Sequence, residues 1–196
     1  TVESIGCFAR VTDVGLKSDE ELRRLRSLGY DGLTVGVETG DGEALAFMNK
    51  GYQARDIVEQ AARLDGAGIS YSFFYLAGIS GAGRGTEGAL RSAEVFNQTR
   101  PVRVGSSMLT VFPSSELYRE IQAGNWREEG ELEKLEELKT LVGHLDIPTR
   151  FETDGDSNLV HVRGDLPRDR EALAEYLGGL AAGASEEALR AYRVNL

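Results

Sequence analysis

The amino-acid sequence predicts an α/β fold built around a parallel sheet. Four apolar segments of strand length begin near residues 4, 33, 69 and 102, so they recur every 29 to 36 residues. Helical patterns lie between them, and this period is typical of one strand followed by one helix. Both faces of these strands are apolar, which favours a sheet covered by helices. Four such units are too few for a closed barrel of about 250 residues, so we expect a small open sheet or part of a barrel.

The elements of the first two-thirds follow in order along the chain. The predicted strands cover residues 4–10, 33–37, 69–76 and 102–111, and the predicted helices cover 18–29, 56–64 and 90–96. The first helix begins at Ser18, because a serine followed three residues later by Glu21 forms a capping box that satisfies free amide donors. Gly29 is a suitable residue to end that helix.

After Pro113 the alternation of strands and helices changes. The predicted elements beyond it are a short helix over 114–124, an acidic amphipathic helix over 129–145, a hairpin of 149–152 with 159–163, and helices over 168–180 and 185–192. We therefore divide the chain into a βα body, residues 1–128, and a C-terminal extension, residues 129–196.

The composition excludes several classes of protein. With 22 Lys and Arg against 32 Asp and Glu, the net charge is −10, which disfavours general binding to nucleic acid or to an anionic membrane surface. One cysteine, Cys7, and two histidines, His144 and His161, are too few for a disulfide framework or a metal site within the chain. No stretch approaches the roughly 18 apolar residues of a membrane span, and the first residues lack a signal peptide pattern. We expect a cytoplasmic protein in which Cys7 is a small buried residue of the first strand.

The carboxyl ends of the predicted strands hold the best candidates for a site, because ligands of parallel α/β folds bind there. Glu38 follows the second strand between Gly36 and Gly40, where its carboxylate can accept hydrogen bonds from an amine or a ribose. An acid that favours the start of a helix is an equally good interpretation of the bare residue. Lys50 can reach the same face and pair with a ligand carboxylate, although a lone lysine is more often a solvated surface residue.

Two interpretations from other functional classes stay open at this point. Residues 83–88 match the pattern G-x-G-x-x-G between a strand and a helix, which is typical of a loop that holds a pyrophosphate in NAD- and nucleotide-binding proteins. The acid expected at the end of the next strand is absent, since residues 106–108 are Ser, Ser and Met. The other alternative is an α/β interaction module without catalytic activity.

Three segments together resemble radical SAM enzymes of the coproporphyrinogen-oxidase-like and Elongator/MiaB-like branch. The first is GVETGDGEALAFMNKG (36–51), which is similar to a family signature of the form GxESGsxxxLxxMNKG. The second is ISYSFFYLAGISG (69–81), and the third is RVGSSMLTVFPSSELYREIQAGNW (103–126). The tail FETDGDSN…GDLPRDREAL also resembles a C-terminal element of the group, so the resemblance covers nearly the whole chain.

This resemblance implies a partial, TIM-like (β/α) barrel of which the visible strands are the third to sixth. In the family, a C-x3-C-x2-C motif after the first strand holds a 4Fe–4S cluster that binds and reductively cleaves S-adenosyl-L-methionine (SAM) to a 5′-deoxyadenosyl radical. That motif is missing here, so we expect residues 1–128 to be the partial barrel of a larger radical SAM oxidoreductase, with the cluster ligands outside this chain. The chain alone is then expected to be inactive and to bind SAM weakly at most.

The resemblance also assigns cofactor-binding positions. Glu38 occupies the position of a Glu or Gln near the methionine or ribose part of SAM, and Lys50 that of an Arg or Lys that pairs with the SAM carboxylate. Gly78 and Gly81 fall where backbone approaches the adenine. The expected cofactor-binding residues are Gly36, Glu38, Thr39, Lys50, Gly78 and Gly81.

Other positions are expected to face the substrate or depart from the family. Arg10, Arg103 and Ser107 are the expected substrate-facing residues. Phe74 stands where the coproporphyrinogen branch has an Asp that contacts the ribose, which counts against haem synthesis. Gly155 replaces a His of the tail, so any role of that His is lost here. The substrate itself is not readable, beyond a small molecule. The expected partners are an external electron donor and a second copy of the chain, paired through exposed sheet edges.

Overall fold

The computed structural model describes residues 4–193 and shows a single mixed sheet with helices. Its strands are β1 (Phe8–Arg10), β2 (Leu33–Glu38), β3 (Tyr71–Ala77), β4 (Arg103–Met108), β5 (Thr149–Glu152) and β6 (Arg163–Leu166). They lie side by side in chain order, β1 to β6. All neighbouring pairs are parallel except β5 with β6. This arrangement confirms the predicted α/β partial barrel, because strands that follow in sequence are neighbours in a barrel wall.

The helices are α1 (Val11–Gly15), α2 (Asp19–Ser27), α3 (Gly42–Phe47), α4 (Ala54–Ala67), α5 (Gly85–Phe96), α6 (Glu116–Gln122), α7 (Glu131–His144), α8 (Arg170–Gly183) and α9 (Glu186–Arg193). The predicted capping box is present, since Ser18 Oγ accepts from the Glu21 amide and the Glu21 carboxylate accepts from the Ser18 amide. The short helices α1, directly after β1, and α3, in the segment after β2, were absent from the sequence-based prediction.

The first strand is shorter than predicted, and the prediction for Cys7 is wrong. Within the described residues the strand covers only Phe8–Arg10, and Ile5 makes a single bridge to Tyr30. Cys7 is exposed, because it precedes β1 at the edge of the sheet and is paired on one side, through its carbonyl oxygen and Thr34 N. It is therefore not the buried residue that an apolar run favours.

The sheet has two different faces. On one face, alternate residues such as Val35, Phe73 and Val104 are buried in the hydrophobic core, to which α4, α5 and α7 also contribute. On the other face, Gly36 and Phe74 are only partly buried. Since partners in a parallel sheet point to the same side, the register that pairs Gly36 with Phe74 places small, polar and aromatic residues together on this inner face.

The sheet continues across the predicted boundary at residue 128. Strand β5 pairs with β4, so that Val104 lies opposite Phe151, and α7 packs against α5. The second hairpin strand begins at Arg163, later than predicted, because Thr153 Oγ1 bonds to Val160 O and Val162 N and closes residues 153–162 into a loop. The predicted extension therefore supplies part of the barrel wall.

Candidate functional site

The carboxylate of Glu38 and the ammonium of Lys50 meet at the carboxyl end of β2. Lys50 Nζ lies 3.1 Å from Glu38 Oε1. Glu38 is the last residue of β2 and has φ 58°, and the pairing with β3 shifts between Gly36 and Glu38. A positive φ is uncommon for a residue other than glycine, and strained residues of this kind cluster at functional sites. Asn49, which precedes Lys50, also has a positive φ of 50°.

An open pocket of about 410 Å³ lies beside this pair, on the inner face of the sheet. Its walls include Phe8, Arg10, Thr34, Gly36, Glu38 and Phe74; we call it the Glu38 pocket. The Arg10 guanidinium is held by Asp13 at 2.8 Å. The pocket thus combines two aromatic rings with a carboxylate that is paired with an ammonium group, which is the chemistry needed to hold a zwitterion joined to a flat or apolar group.

Tyr52 supports the turn that carries Glu38. Its hydroxyl donates to Val37 O at 2.9 Å. Burial, and then the nearby charge of Glu38, raises the pKa of Tyr52 well above its usual range. The phenol therefore stays protonated and remains a donor to the backbone of the strand end.

Thr39 points into the protein interior. Its Oγ1 lies 3.0 Å from Ser92 Oγ on α5, and Gly40 N donates to the same Ser92 Oγ at 2.7 Å. A Cβ on Gly40 would lie 2.6 Å from Ser92 Cα, so the turn rests directly on the helix backbone. Thr39 is fully buried, and its side chain is committed to fixing this turn.

Gly78 and Gly81 do not line the Glu38 pocket. The Gly78 amide donates to Glu137 Oε2 at 2.7 Å, and the stem of Lys134 covers its α-carbon. Gly81 has φ 84° and lies under the indole of Trp126, in a separate pocket of about 380 Å³. The structure therefore brings Gly36, Glu38 and Lys50 together and places the two glycines of the next turn elsewhere.

The expected substrate-facing residues of β4 lie at opposite ends of that strand. Ser107 is near the carboxyl end, where the hairpin loop approaches it: a Cβ on Gly155 would lie 2.9 Å from Ser107 Oγ. Arg103 is the first residue of β4, about 13 Å away along the strand, and its guanidinium is paired with Glu152. Of these two residues, only Ser107 lies at the carboxyl ends of the strands, where Glu38 also lies. The position of Arg103 does not support its expected role, which stays a prediction.

The glycine loop 83–88 holds carboxylates of its own chain. The Gly83 amide donates to Glu133 Oε1 at 3.1 Å, and the carboxylate of Glu129 lies against Gly85. Gly88 lies against the Ser80 hydroxyl. A pyrophosphate would have to displace these acids or bind beside their negative charge, so the loop is unsuited to the dinucleotide role.

The buried charges of α7 were missed by the sequence analysis. Glu131, Lys134 and Glu137 are buried together with Glu129, although the pattern of the helix was interpreted as amphipathic. Lys134 Nζ pairs with Glu128 at 3.0 Å and with Glu131 at 3.4 Å. A signal was present: the three helical residues recur every third position beside the leucine stripe, which places them on or near the packed face.

The described residues show neither a metal centre nor a membrane span. Within residues 4–193, no group of three or more His, Cys, Asp or Glu side chains is arranged to hold a metal ion. None of the helices in this range is both long and apolar enough to cross a bilayer. The chain's own residues therefore do not fit an iron–sulfur cluster, and we derive no chemical step through one.

Comparison with known proteins shows a shared fold. No protein-family model and no curated protein matches the sequence. Among solved structures, the chain is similar to archaeal Elp3 of Methanocaldococcus infernus with an N-terminal deletion (1–46), with 18% identity and a TM-score of 0.65. The match covers 90% of this chain and 42% of that chain, so this chain spans less than half of the protein it resembles. At this identity the likeness establishes the partial-barrel fold.

Proposed function

We propose that this chain contributes part of the SAM-binding site of a radical SAM enzyme. The observation that carries the proposal is the Glu38–Lys50 pair, whose carboxylate lines the Glu38 pocket. The fold shared with Elp3 and the resemblance of residues 36–51 to a radical SAM signature support it. The substrate is not part of the proposal, because barrels of one fold differ in what reaches the open mouth.

The groups of the pocket suit the amino-acid end of SAM. An α-amino group carries a positive charge that the Glu38 carboxylate can accept, and an α-carboxylate carries a negative charge that Lys50 can bind. The bound zwitterion would replace one intramolecular ion pair by two intermolecular ones. Phe74 presents a ring where the coproporphyrinogen branch has an acid, so we propose packing rather than hydrogen bonding at that wall.

The chain's proposed contribution is binding and orientation. SAM, when bound to a cluster, supplies the radical that abstracts a hydrogen atom from the substrate in this family. No cluster ligands are found among residues 4–193, so reduction would need a further segment and an external electron donor. The open β1 edge, where Phe8 is 87% exposed, is the surface through which we propose that a further strand or a second copy pairs.

Chemical-shift mapping tests the proposal on the chain itself. We expect SAM to shift the amide resonances of Gly36, Glu38 and Lys50, with a Kd on the order of 1 mM because the iron chelate is absent. Lys50→Ala should weaken binding about tenfold, the loss of one charge-assisted hydrogen bond. Lys139→Ala is the matched control, since Lys139 forms a similar pair with Glu136 at 2.8 Å, outside the Glu38 pocket.

The pattern of shifts separates the alternatives. Shifts confined to residues 83–88, with NAD preferred over SAM, would overturn the proposal in favour of a nucleotide site. No shift with either ligand in the millimolar range would favour an interaction module. Equal weakening in Lys50→Ala and Lys139→Ala would show that the effect is general and not due to the Glu38 pocket.

A further inference from the structure

A buried carboxyl group lies behind the turn that follows β3. Glu137 is fully buried. One of its oxygens accepts from the Gly78 amide at 2.7 Å, and the other accepts from the hydroxyl of Tyr75. The acid therefore fixes both the strand end and the first amide of the turn.

The same network reaches the turn that follows β2. Ser92 on α5 lies beside the Tyr75 hydroxyl and donates its own proton to Gly88 O at 2.7 Å. Ser92 Oγ also accepts from the Gly40 amide at 2.7 Å and contacts Thr39 Oγ1 at 3.0 Å. A continuous chain of buried polar contacts thus connects Glu137 with the turn that begins directly after Glu38. The carboxyl ends of two neighbouring strands are held by one buried set of groups.

A second buried acid, Glu129, lies beside Glu137. Both of its carboxylate oxygens are inaccessible to solvent and neither forms a hydrogen bond of good geometry, although the Gly85 amide is close to the group. The group lies against Gly85 and next to the Glu137 carboxyl. Two adjacent buried carboxylates cannot both be ionised at low cost, whereas one proton between them turns an acceptor into a donor. Such a proton would give one oxygen of Glu129 a partner.

The other charged groups near the pair do not neutralise it. On α7 itself, Glu133 adds negative charge, and Lys134 is a cation that acts on Glu129. Lys134 is already bonded to Glu128 and Glu131. Of the elements packed against α7, β3 presents the phenol of Tyr75 and α5 the hydroxyl of Ser92, and α9 adds the negative charge of Glu186, which accepts from the Glu131 and Leu132 amides. Burial, and then the charge of Glu129, raises the pKa of Glu137 well above its usual range, and burial raises the pKa of Glu129 as well.

We propose that Glu129 and Glu137 share one proton at neutral pH and that this proton aligns the two turns of the candidate site through Tyr75 and Ser92. The two acids are positioning residues, since neither lines the Glu38 pocket. The identity of the ligand that the turns receive rests on the proposed function; the shared proton and its effect on the turns do not.

Nuclear magnetic resonance of the labelled chain tests the proposal without any ligand. We follow the side-chain carboxyl carbons of the glutamates and the amide protons of Gly78 and Gly40 from about pH 6 to about pH 10. The pair of Glu129 and Glu137 should lose one proton in a single transition, at a pH above the range in which glutamates ordinarily titrate. The Gly78 amide proton should move downfield in that same transition, because a charged acceptor makes the stronger hydrogen bond. Gly40 should follow with a smaller shift.

Two variants and a control make the result specific. Glu129→Gln supplies the missing donor permanently, so Glu137 becomes charged at neutral pH and the transition at Gly78 disappears while the fold is kept. Tyr75→Phe leaves the transition at Gly78 but uncouples Gly40. Glu136→Gln is the control, because Glu136 lies on the same helix but its side chain is half exposed and pairs with Lys139; it should leave the Gly78 transition unchanged.

Three results would overturn the proposal: both carboxyl groups ionised at neutral pH, a Gly78 resonance that does not move, or a transition that persists in Glu129→Gln. A chain that shows the transition but does not bind SAM would refute the proposed function and leave this inference standing. A chain that binds SAM but shows no transition would refute this inference and leave the proposed function standing.

Discussion

The Glu38 pocket and the buried pair of Glu129 and Glu137 use glutamate side chains in opposite ways. The Glu38 side chain is 21% exposed and its partner is the ammonium of Lys50, 29% exposed. Glu137 is fully buried and its partners are an amide, a phenol and a second acid. A carboxylate that contacts water can exchange its partner for a ligand at low cost. A buried one must be satisfied by the protein, so it can only hold the structure in place.

Removing a group from each region should show this difference most clearly. Glu137→Ala leaves the Gly78 amide and the Tyr75 hydroxyl without an acceptor and opens a cavity, so the free energy of unfolding should fall by about 3 kcal/mol. Glu136→Ala, one residue away but half exposed, should cost less than about 0.5 kcal/mol. Urea denaturation of both variants checks this. Equal losses would mean that Glu137 is not satisfied as the structure shows.

The contact that joins the two regions should be the next most sensitive. In Gly40→Ala the new Cβ would lie 2.6 Å from Ser92 Cα, so the turn after Glu38 must move away from α5. Overpacking of this kind costs about 2 kcal/mol, measured by thermal or urea unfolding. Gly42→Ala is the control, because a Cβ there meets nothing within 4 Å. A stable Gly40→Ala protein would show that the turn is free to shift.

The acid pair should also make stability depend on pH. The folded pKa of both acids is raised, whereas unfolded glutamates titrate at about 4.3. The folded chain therefore binds more protons than the unfolded chain above that value, and stability falls as pH rises until the folded pair has titrated. The slope for one fully retained proton is about 1.4 kcal/mol per pH unit.

Glu129→Gln isolates this contribution. We compare the free energy of unfolding of this variant with that of the unaltered chain by urea denaturation at each pH. The variant's value minus that of the unaltered chain should increase between about pH 6 and about pH 8. Glu136→Gln should show no such gain, because the Glu136 side chain is half exposed and pairs with Lys139. A constant difference between Glu129→Gln and the unaltered chain would contradict the buried proton.

The smallest effect on stability is expected in the Glu38 pocket. Lys50→Ala removes a partly exposed ion pair, which contributes about 0.5 kcal/mol or less to folding. Calorimetric unfolding should therefore hardly change, although the same variant loses SAM in the binding experiment. A loss of several kcal/mol would show that the Glu38–Lys50 pair holds the fold together, and would weaken its assignment to a ligand.

Local patterns in the sequence determined the order and type of most elements. Apolar runs at a regular spacing predicted the four parallel strands, and the pair Ser18 and Glu21 predicted a helix start, because both signals depend on neighbours within a few residues. The position of Glu38 at the end of a strand followed from the same periodicity. Helices as short as α1 and α3 carry too little pattern to be recognised.

Only the tertiary structure decided which of these residues share a site. Gly78 is bonded to an acid 59 positions away and Thr39 to a serine 53 positions away. Such contacts depend on strand register and on how α5 and α7 pack, and no local pattern specifies either. The same reason explains why Gly81 lies in a different pocket from Glu38, why Arg103 lies at the other end of its strand, and why the acids of α7 are buried. The sequence by itself determined which groups stand at the strand ends, and packing decided which of them face a ligand and which face each other.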